Sequence, residues 1–114
     1  MGACRASGTG ADVVQAVDNL TRVSGRLVSR EVHPHRAGWD AVVVHVDDAV
    51  PVAGKADLLS RYKGEDLPVA FRRELLAGAL PGARLTFRAR LTLDGALAEP
   101  HPDEGDLAIA PPTP

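Results

Sequence analysis

The chain has 114 residues, of which 45% are hydrophobic and 25% are charged, and its formal net charge is −2. This length suffices for one compact domain with a core and is too short for two ordinary domains. Its apolar runs, such as residues 41–44, are far shorter than the roughly 20 residues of a membrane-spanning helix, and its first residues lack the continuous apolar region of a secretory signal. The single Cys4 cannot form an internal disulfide. The composition therefore excludes a disulfide-stabilised fold and a helical membrane protein, and we expect a cytoplasmic location.

The charges are unevenly distributed along the chain. Residues 21–92 hold 12 basic and 8 acidic residues, whereas residues 93–114 hold five acidic residues and no basic one. An acidic end of this kind competes with an anionic ligand, recruits a basic partner or simply aids solubility. The sequence therefore predicts a mildly basic body followed by an acidic end, with all three roles open.

The N-terminal part of the sequence reads as a leader followed by two strands. Residues 1–20 are expected to form a flexible leader, with a short helix starting at Asp12. Residues 21–32 are rich in β-branched side chains and interrupted by Gly25, which is typical of one long strand with a bulge or sharp bend. After a turn, residues 39–50 carry apolar side chains in both alternating rows. This pattern favours a central strand that is covered on both faces for part of its length.

The middle of the sequence alternates between loop, strand and helix signals. Residues 51–66 form the longest connection and contain proline and glycine, so they are a candidate functional loop. Residues 67–71 begin extended, and the chain then becomes helical as far as Leu80, before a Pro-Gly breaker. Residues 83–93 alternate strictly between apolar and polar side chains, which predicts a strand with one buried face.

The last part of the chain is predicted to close a hairpin and then to extend. Asp94 and Gly95 form a strong hairpin-turn signal, and residues 96–100 form a short strand that closes against the preceding one. The acidic, proline-rich residues 101–114 are expected to form an extended arm, with residues 107–109 docking onto the body and a disordered end.

The order of these elements resembles the OB-fold, the oligonucleotide/oligosaccharide-binding superfamily. The resemblance covers residues 21–100 and rests on the segments VSGRLV, WDAVVVHV, LPVAFRRELLAGAL and PGARLTFRARL. It implies a mainly β fold, a five-stranded Greek-key barrel with one short helix between strands three and four. The alternative is an SH3-like or other small barrel, which would not need the helix before strand four.

The resemblance also implies a ligand-binding face. Many OB-fold domains bind single-stranded nucleic acid across strands two and three and across the loops that join strands one to two and four to five. They stack bases on exposed aromatic side chains, each worth roughly 1–3 kcal/mol. Phe71 and Phe87 look like core residues, which leaves Trp39 and Tyr62 as candidate stackers. Transferred by position, the face comprises Trp39, Val43 and His45 on strand two, Tyr62 and Lys63 before strand three, His33, His35 and Arg36 in the first loop, and Asp94 and Gly95 in the second.

Arginines recur with one parity on two of the predicted strands. If these strands pair as in an OB barrel, one surface collects five guanidinium groups, which suit bidentate recognition of phosphate. A bulge at Gly25 would flip the parity and separate Arg22 from the others. The alternative is that these charges only keep the outward face of the sheet from aggregating. The arginines are Arg22, Arg26 and Arg30 on strand one and Arg88 and Arg90 on strand four.

No catalytic, metal or cofactor motif stands out. His33, His35, His45 and His101 have no cysteine or carboxylate at a recognisable ligand spacing, which favours turn and surface histidines over a metal site. The segments GTGADVV and AVPVAGKA lack residues that a dinucleotide motif and a phosphate loop require, and no serine occupies a nucleophile elbow. We therefore expect no enzyme activity, no metal and no cofactor.

Two functions stay open at this point. The leading hypothesis is a small non-enzymatic module that binds single-stranded DNA or RNA, and the alternative is a protein-interaction or assembly module that uses an edge strand or the acidic arm. The arginines favour the first hypothesis, and the scarcity of aromatics favours the second. Homo-oligomerisation through an open sheet edge is compatible with either. The residues predicted to bind nucleic acid are Arg26, Arg30, Arg36, Trp39, Tyr62, Lys63, Arg88 and Arg90.

Overall fold

The computed structural model describes residues 18–112, and these residues form a closed β-barrel. A short helix lies between the third and fourth strands, so the predicted mainly β fold with a helix at this position is confirmed. The elements are β1 (Thr21–Val32), β2 (Trp39–Pro51), a 3-10 turn (Ser60–Tyr62), β3 (Asp66–Arg72), α1 (Arg73–Leu76), β4 (Arg84–Thr92), β5 (Gly95–Ala98) and β6 (Ala108–Ala110).

Five strands close the barrel in the order β1-β2-β3-β5-β4-β1. Neighbouring strands are antiparallel except β3 and β5, which run parallel with Ala70 opposite Leu97. The chain leaves β3, passes through α1 to place β4 beside β1, and returns as β5 to seal the barrel against β3. This is the Greek-key barrel that the sequence predicts.

The barrel interior is filled by the inward rows of the strands. Val42, Val44 and Val46 of β2 are fully buried, and Phe71 and Phe87 pack edge to face with their ring centroids 5.0 Å apart. The outward row of β2 is half-buried, as expected for a strand that is covered on both faces for part of its length. Both phenylalanines are therefore core residues, as the sequence predicts.

Two bulges interrupt the pairing of β1 with β2. Ser24 pairs with Asp48 and Gly25 with Val46, so Asp47 is the extra residue on β2. Gly25 is required there, because a Cβ at this position would lie 2.1 Å from the carbonyl oxygen of His45. The second bulge leaves Val28 as the extra residue on β1.

The helix after β3 is shorter than predicted. It ends at Leu76, because Ala77 adopts φ +47°, a backbone conformation that does not continue an α-helix. The guanidinium of Arg30 then donates to the carbonyl oxygens of Ala77 and Ala79. As a result Leu80, expected on the helix, lies in a turn with 72% of its surface exposed.

The ends of the described chain are attached to the barrel. Asn19 forms an isolated bridge with Ala56, and the predicted helix from Asp12 otherwise lies outside the described residues. At the other end Leu107 packs against the core and β6 pairs with the first residues of β4, as expected for docking of residues 107–109. In the described part of the chain no helix is long and apolar enough to span a bilayer.

Candidate functional site

A groove lies between the β1–β2 loop (residues 33–38) and the β4–β5 turn (residues 93–94). We call it the loop groove. Its volume is about 420 Å³, and a shallower extension of about 140 Å³ continues over β2 and β3. These are the two loops that the OB-fold resemblance assigns to ligand binding. The residues that line the groove include His33, His35, Arg36, Ala70, Thr92, Asp94 and Leu97.

The floor of the groove and of its extension consists of apolar side chains, most of them small. Ala41 of β2, Ala70 of β3 and Leu97 of β5 form one outward row across three strands, because Ala41 pairs with Ala70 and Ala70 with Leu97. Val43 and Pro68 form the next row. Side chains of this size leave a shallow, smooth surface on which a planar group can lie close to the sheet.

Arg36 lines one end of the groove, and Trp39 lies against it just outside the lining. The Arg36 guanidinium lies 4.9 Å from the Trp39 ring centroid, which is a cation–π contact. The loop is held by its own hydrogen bonds: the Trp39 N–H donates to the Arg36 carbonyl, the His33 N–H donates to the Trp39 carbonyl, and the His35 N–H donates to His33 Nδ1. Within residues 18–112, Arg36 has no carboxylate partner, so its charge is available to a ligand.

A buried carboxylate fixes the base of this loop. Asp40 accepts hydrogen bonds from Arg30 Nε at 2.7 Å and from Arg73 Nε at 2.9 Å, and its side chain is 5% exposed. Burial raises the pKa of Asp40, but the hydrogen bonds and charges of the two arginines outweigh it and hold the pKa below its ordinary value. The Arg73 guanidinium also donates to the Trp39 carbonyl, and the backbone N–H of Arg73 donates to the Gly38 carbonyl. The network thus positions Trp39 and the end of the loop.

Arg90 lies at the other side of the groove floor. It projects outward from β4, is exposed and pairs in register with Leu97. It has no ion-pair partner in the described part of the chain. Arg72 lies next to Trp39 in register, but it is engaged by Glu74, by the Pro100 carbonyl and by His101. Arg36 and Arg90 are therefore the cations that the groove presents without a partner.

A second cationic surface lies on the outward side of β1 and β4. Arg22 is directly opposite Arg88, and Arg26 is directly opposite Arg84. We call these four residues the arginine face. Acidic side chains engage three of them: Glu99 pairs with Arg88, Asp106 lies between Arg22 and Arg88, and Asp47 lies 3.6 Å from Arg84.

Arg30 is not part of this face, and the prediction that placed it there is wrong. The reason is the bulge at Val28, which reverses the parity of the strand so that Arg30 pairs with the inward residue Val42. The bulge opposite Gly25, by contrast, falls on β2 and leaves Arg22 and Arg26 on the same side. The outward row of β1 is therefore interrupted after Arg26, whereas the sequence suggested an interruption between Arg22 and Arg26.

Two other predicted site residues lie away from the groove. Tyr62 packs partly against the core with the Arg61 guanidinium 5.2 Å from its ring, and Lys63 pairs with Asp48 at 3.4 Å. Both belong to the connection between β2 and β3, close to the carbonyl of Val46 and thus far along β2 from Trp39. The structure places Arg36 in the lining of the groove, with Trp39 against Arg36 and Arg90 next to Leu97 of the floor. It places Arg26 and Arg88 on the arginine face.

Arg84 on the arginine face and Arg72 beside Trp39 were not among the residues predicted from the sequence. The signal was present for Arg84, because it has the same parity as Arg88 in a strictly alternating strand. Arg72 lies beside Trp39 because it is the last residue of β3, and sequence periodicity does not define where a strand ends.

The histidines do not converge. His45 pairs with Asp66 at 2.9 Å, His101 contacts Arg72, and His33 lies near His35 with ring centroids 6.4 Å apart. Among residues 18–112 there is no group of three histidine, cysteine or acidic side chains that could hold a metal ion.

Comparison of the chain with protein-family models, with curated proteins and with solved structures finds no match.

Proposed function

We propose that this protein is an OB-fold domain that binds single-stranded nucleic acid in the loop groove. The strand order 1-2-3-5-4-1, with its parallel closure of β3 against β5, supports placing it in the OB-fold superfamily. One observation carries the functional proposal: the two loops that such domains use for binding meet over a groove flanked by Arg36 and Arg90, which have no carboxylate partner in the described chain.

The groove offers the two kinds of contact that a single strand needs. Arg36 lines the groove and Arg90 lies on β4 next to Leu97 of its floor, and each guanidinium can hold one phosphate by paired hydrogen bonds. Trp39, which lies against Arg36 beside the groove, supplies an aromatic face for stacking, and the row of Ala41, Ala70 and Leu97 lets a base approach the sheet. Within the described residues the rings that line the groove are the imidazoles of His33 and His35, and Trp39 lies beside it. We therefore expect weak, salt-sensitive binding with little sequence preference.

The second candidate function is a protein-interaction module. It is favoured by two exposed apolar side chains, Val32 at 67% and Leu80 at 72% exposure. Both residues line a depression of about 490 Å³ that also includes Arg30, Asp40 and Arg73. Exposed apolar patches of this kind are typical of contact surfaces.

Fluorescence anisotropy of a labelled oligo-dT of about 20 nucleotides, longer than the roughly 4–16 nucleotides that one OB-fold covers, tests the proposal. The variant Arg36→Gln/Arg90→Gln should bind weakly, and its salt slope should fall by about 1.4, since each lost phosphate contact contributes about 0.7. The matched control Arg61→Gln/Lys63→Gln removes the same charge outside the groove and should retain the wild-type slope. Equal loss in both variants would mean that only net charge matters, and no binding at about 50 mM salt would reject the proposal.

A further inference from the structure

The positive charges of the arginine face are arranged in a way that does not stabilise the sheet. Like charges placed directly opposite each other on neighbouring strands are destabilising, and this face has two such pairs, Arg22 with Arg88 and Arg26 with Arg84. Between the two pairs lie Ser24 and Thr86, whose hydroxyl oxygens are 3.3 Å apart. The result is an array of guanidinium and hydroxyl donors on an open strand surface.

The chain itself supplies the anions for one of these pairs. Glu99 accepts two hydrogen bonds from Arg88, at 2.9 and 2.5 Å, in the bidentate arrangement that arginine forms with carboxylate or phosphate. Asp106 bridges the pair, with its oxygens 2.9 Å from Arg22 and 3.3 Å from Arg88. The hydrogen bonds that Arg88 donates to Glu99 raise the pKa of Arg88. These two carboxylates therefore occupy the positions from which a phosphodiester would bind.

The segment that carries them is anchored mainly through its ends. The Glu99 N–H donates to the Arg88 carbonyl, Leu107 packs against the core, and β6 adds three residues to β4. Between these anchors Asp103 and Glu104 are exposed. The carboxylate groups of Glu99 and Asp106 can therefore leave the arginines by side-chain rotation, while the backbone of the segment keeps its place.

The other pair of the face is already accessible. Arg26 is exposed and has no ion pair within the described residues. Arg84 is about half exposed, and its one ion pair, with Asp47, is long, with 3.6 Å between the guanidinium nitrogen and the carboxylate oxygen. At the opposite end Arg90 follows Arg88 on the same side of β4. The outward row of β4 thus connects the arginine face with the loop groove.

From this arrangement we propose that the arginine face is a second binding surface for a phosphodiester backbone, which Glu99 and Asp106 occupy in cis as competitors. A strand bound in the groove would continue past Arg90 onto this face once it displaces the two carboxylates. The inference rests on the proposed function of the groove, which it extends by assigning the path of the strand and the groups that oppose it.

The test is Glu99→Gln/Asp106→Asn, which removes the two charges and keeps the shape of the side chains. We expect this variant to bind the same labelled oligo-dT roughly tenfold or more tightly at about 50 mM salt, with a salt slope steeper by about 1.4 for two additional phosphate contacts. The matched control Glu65→Gln/Glu104→Gln removes two exposed carboxylates that form no ion pair in the described chain, and it should change the slope little.

Each outcome has a distinct meaning. If the Glu99/Asp106 variant gains no more affinity than the control, the second surface is rejected, while loss of binding in the Arg36/Arg90 variant still supports the groove. If the gain appears and disappears again on adding Arg22→Gln and Arg88→Gln, the second surface is established even where the wild type binds poorly. The double change leaves two opposed arginines without carboxylates and could unfold the protein. In that case Asp106→Asn alone, which preserves the Glu99–Arg88 pair, replaces it as the test and should give about half of the change in salt slope.

Discussion

Asp40 is the residue whose replacement tests how the barrel supports the groove. In Asp40→Asn one carboxylate oxygen becomes an NH2 donor, so that either Arg30 or Arg73 loses its acceptor and faces another donor. The negative charge between the two guanidinium groups is lost as well. Because Asp40 is 5% and Arg30 18% exposed, water cannot replace the missing partner fully.

The cost follows from these exposures. Removing one member of a buried ion pair costs about 3–5 kcal/mol, whereas the pair with Arg73, which is 46% exposed, is a partly screened interaction that contributes about 0–1 kcal/mol. Arg30 keeps its bonds to two carbonyl oxygens, which reduces the loss. We expect a destabilisation of about 2–4 kcal/mol, which lowers the melting temperature of a domain of this size by about 10–25 °C.

Thermal unfolding followed by far-ultraviolet circular dichroism measures this change. The control is Asp66→Asn, an exposed carboxylate paired with His45, whose loss should cost less than about 0.5 kcal/mol. Trp39 is the only tryptophan, so its emission should shift in Asp40→Asn as the loop loosens, and stay constant in the control. A melting temperature for Asp40→Asn within about 3 °C of the wild type would refute the assignment of Asp40 as the anchor of the loop.

Three further predictions concern stability. Gly25→Ala should lower it by about 1–3 kcal/mol or more, since the new methyl group meets the His45 carbonyl; a urea-unfolding midpoint equal to that of Ser24→Ala would contradict this. Ala77→Gly should raise the melting temperature, because relief of a positive φ gives about 1–3 kcal/mol against about 0.5–1 kcal/mol of added chain entropy; a lower value would argue against strain at this position. Asp57 is half-buried, and this burial raises its pKa, but hydrogen bonds from the Ser60 turn and Thr21 lower the pKa overall; its contribution to stability is complete above the ordinary value of about 3.9 and is lost as pH falls through the lower folded-state value. Asp57→Asn should therefore flatten the acid limb of a melting temperature against pH profile, and an unchanged limb would exclude this role.

The barrel could be predicted from the sequence because local patterns determine most of it. The strict alternation of residues 83–93 fixes which face of β4 is buried, and Gly25 marks a place where β1 approaches a carbonyl too closely for any side chain. The order of strands and the helix before β4 were then enough to select the topology.

The candidate site was less predictable, because it depends on register between distant strands. Nothing in the local sequence marks Val28 as an extra residue, since a bulge reflects how β1 must pair with β2 over its whole length. That one residue decides whether Arg30 faces solvent or the Asp40 network. The end of α1 was missed for a similar reason: the Arg30 guanidinium, 47 residues away from Ala77 along the chain, binds the carbonyl oxygens where a helix would have continued.

The net charge of −2 is a poor guide to whether this protein can bind a polyanion, because the charges that produce it are not spread evenly in space. Glu99 and Asp106 of the acidic end lie on the arginine face, where they neutralise Arg22 and Arg88, whereas Arg36 beside the groove has no carboxylate partner in the described chain. A ligand in the groove meets the local field, since charges beyond about 8–10 Å are screened at physiological salt. Glu99 and Asp106 therefore oppose binding on the arginine face more strongly than in the groove, where Asp94 is the acidic residue of this end that lines the surface. Neutralising Glu99 and Asp106 should strengthen binding on the arginine face more than binding in the groove.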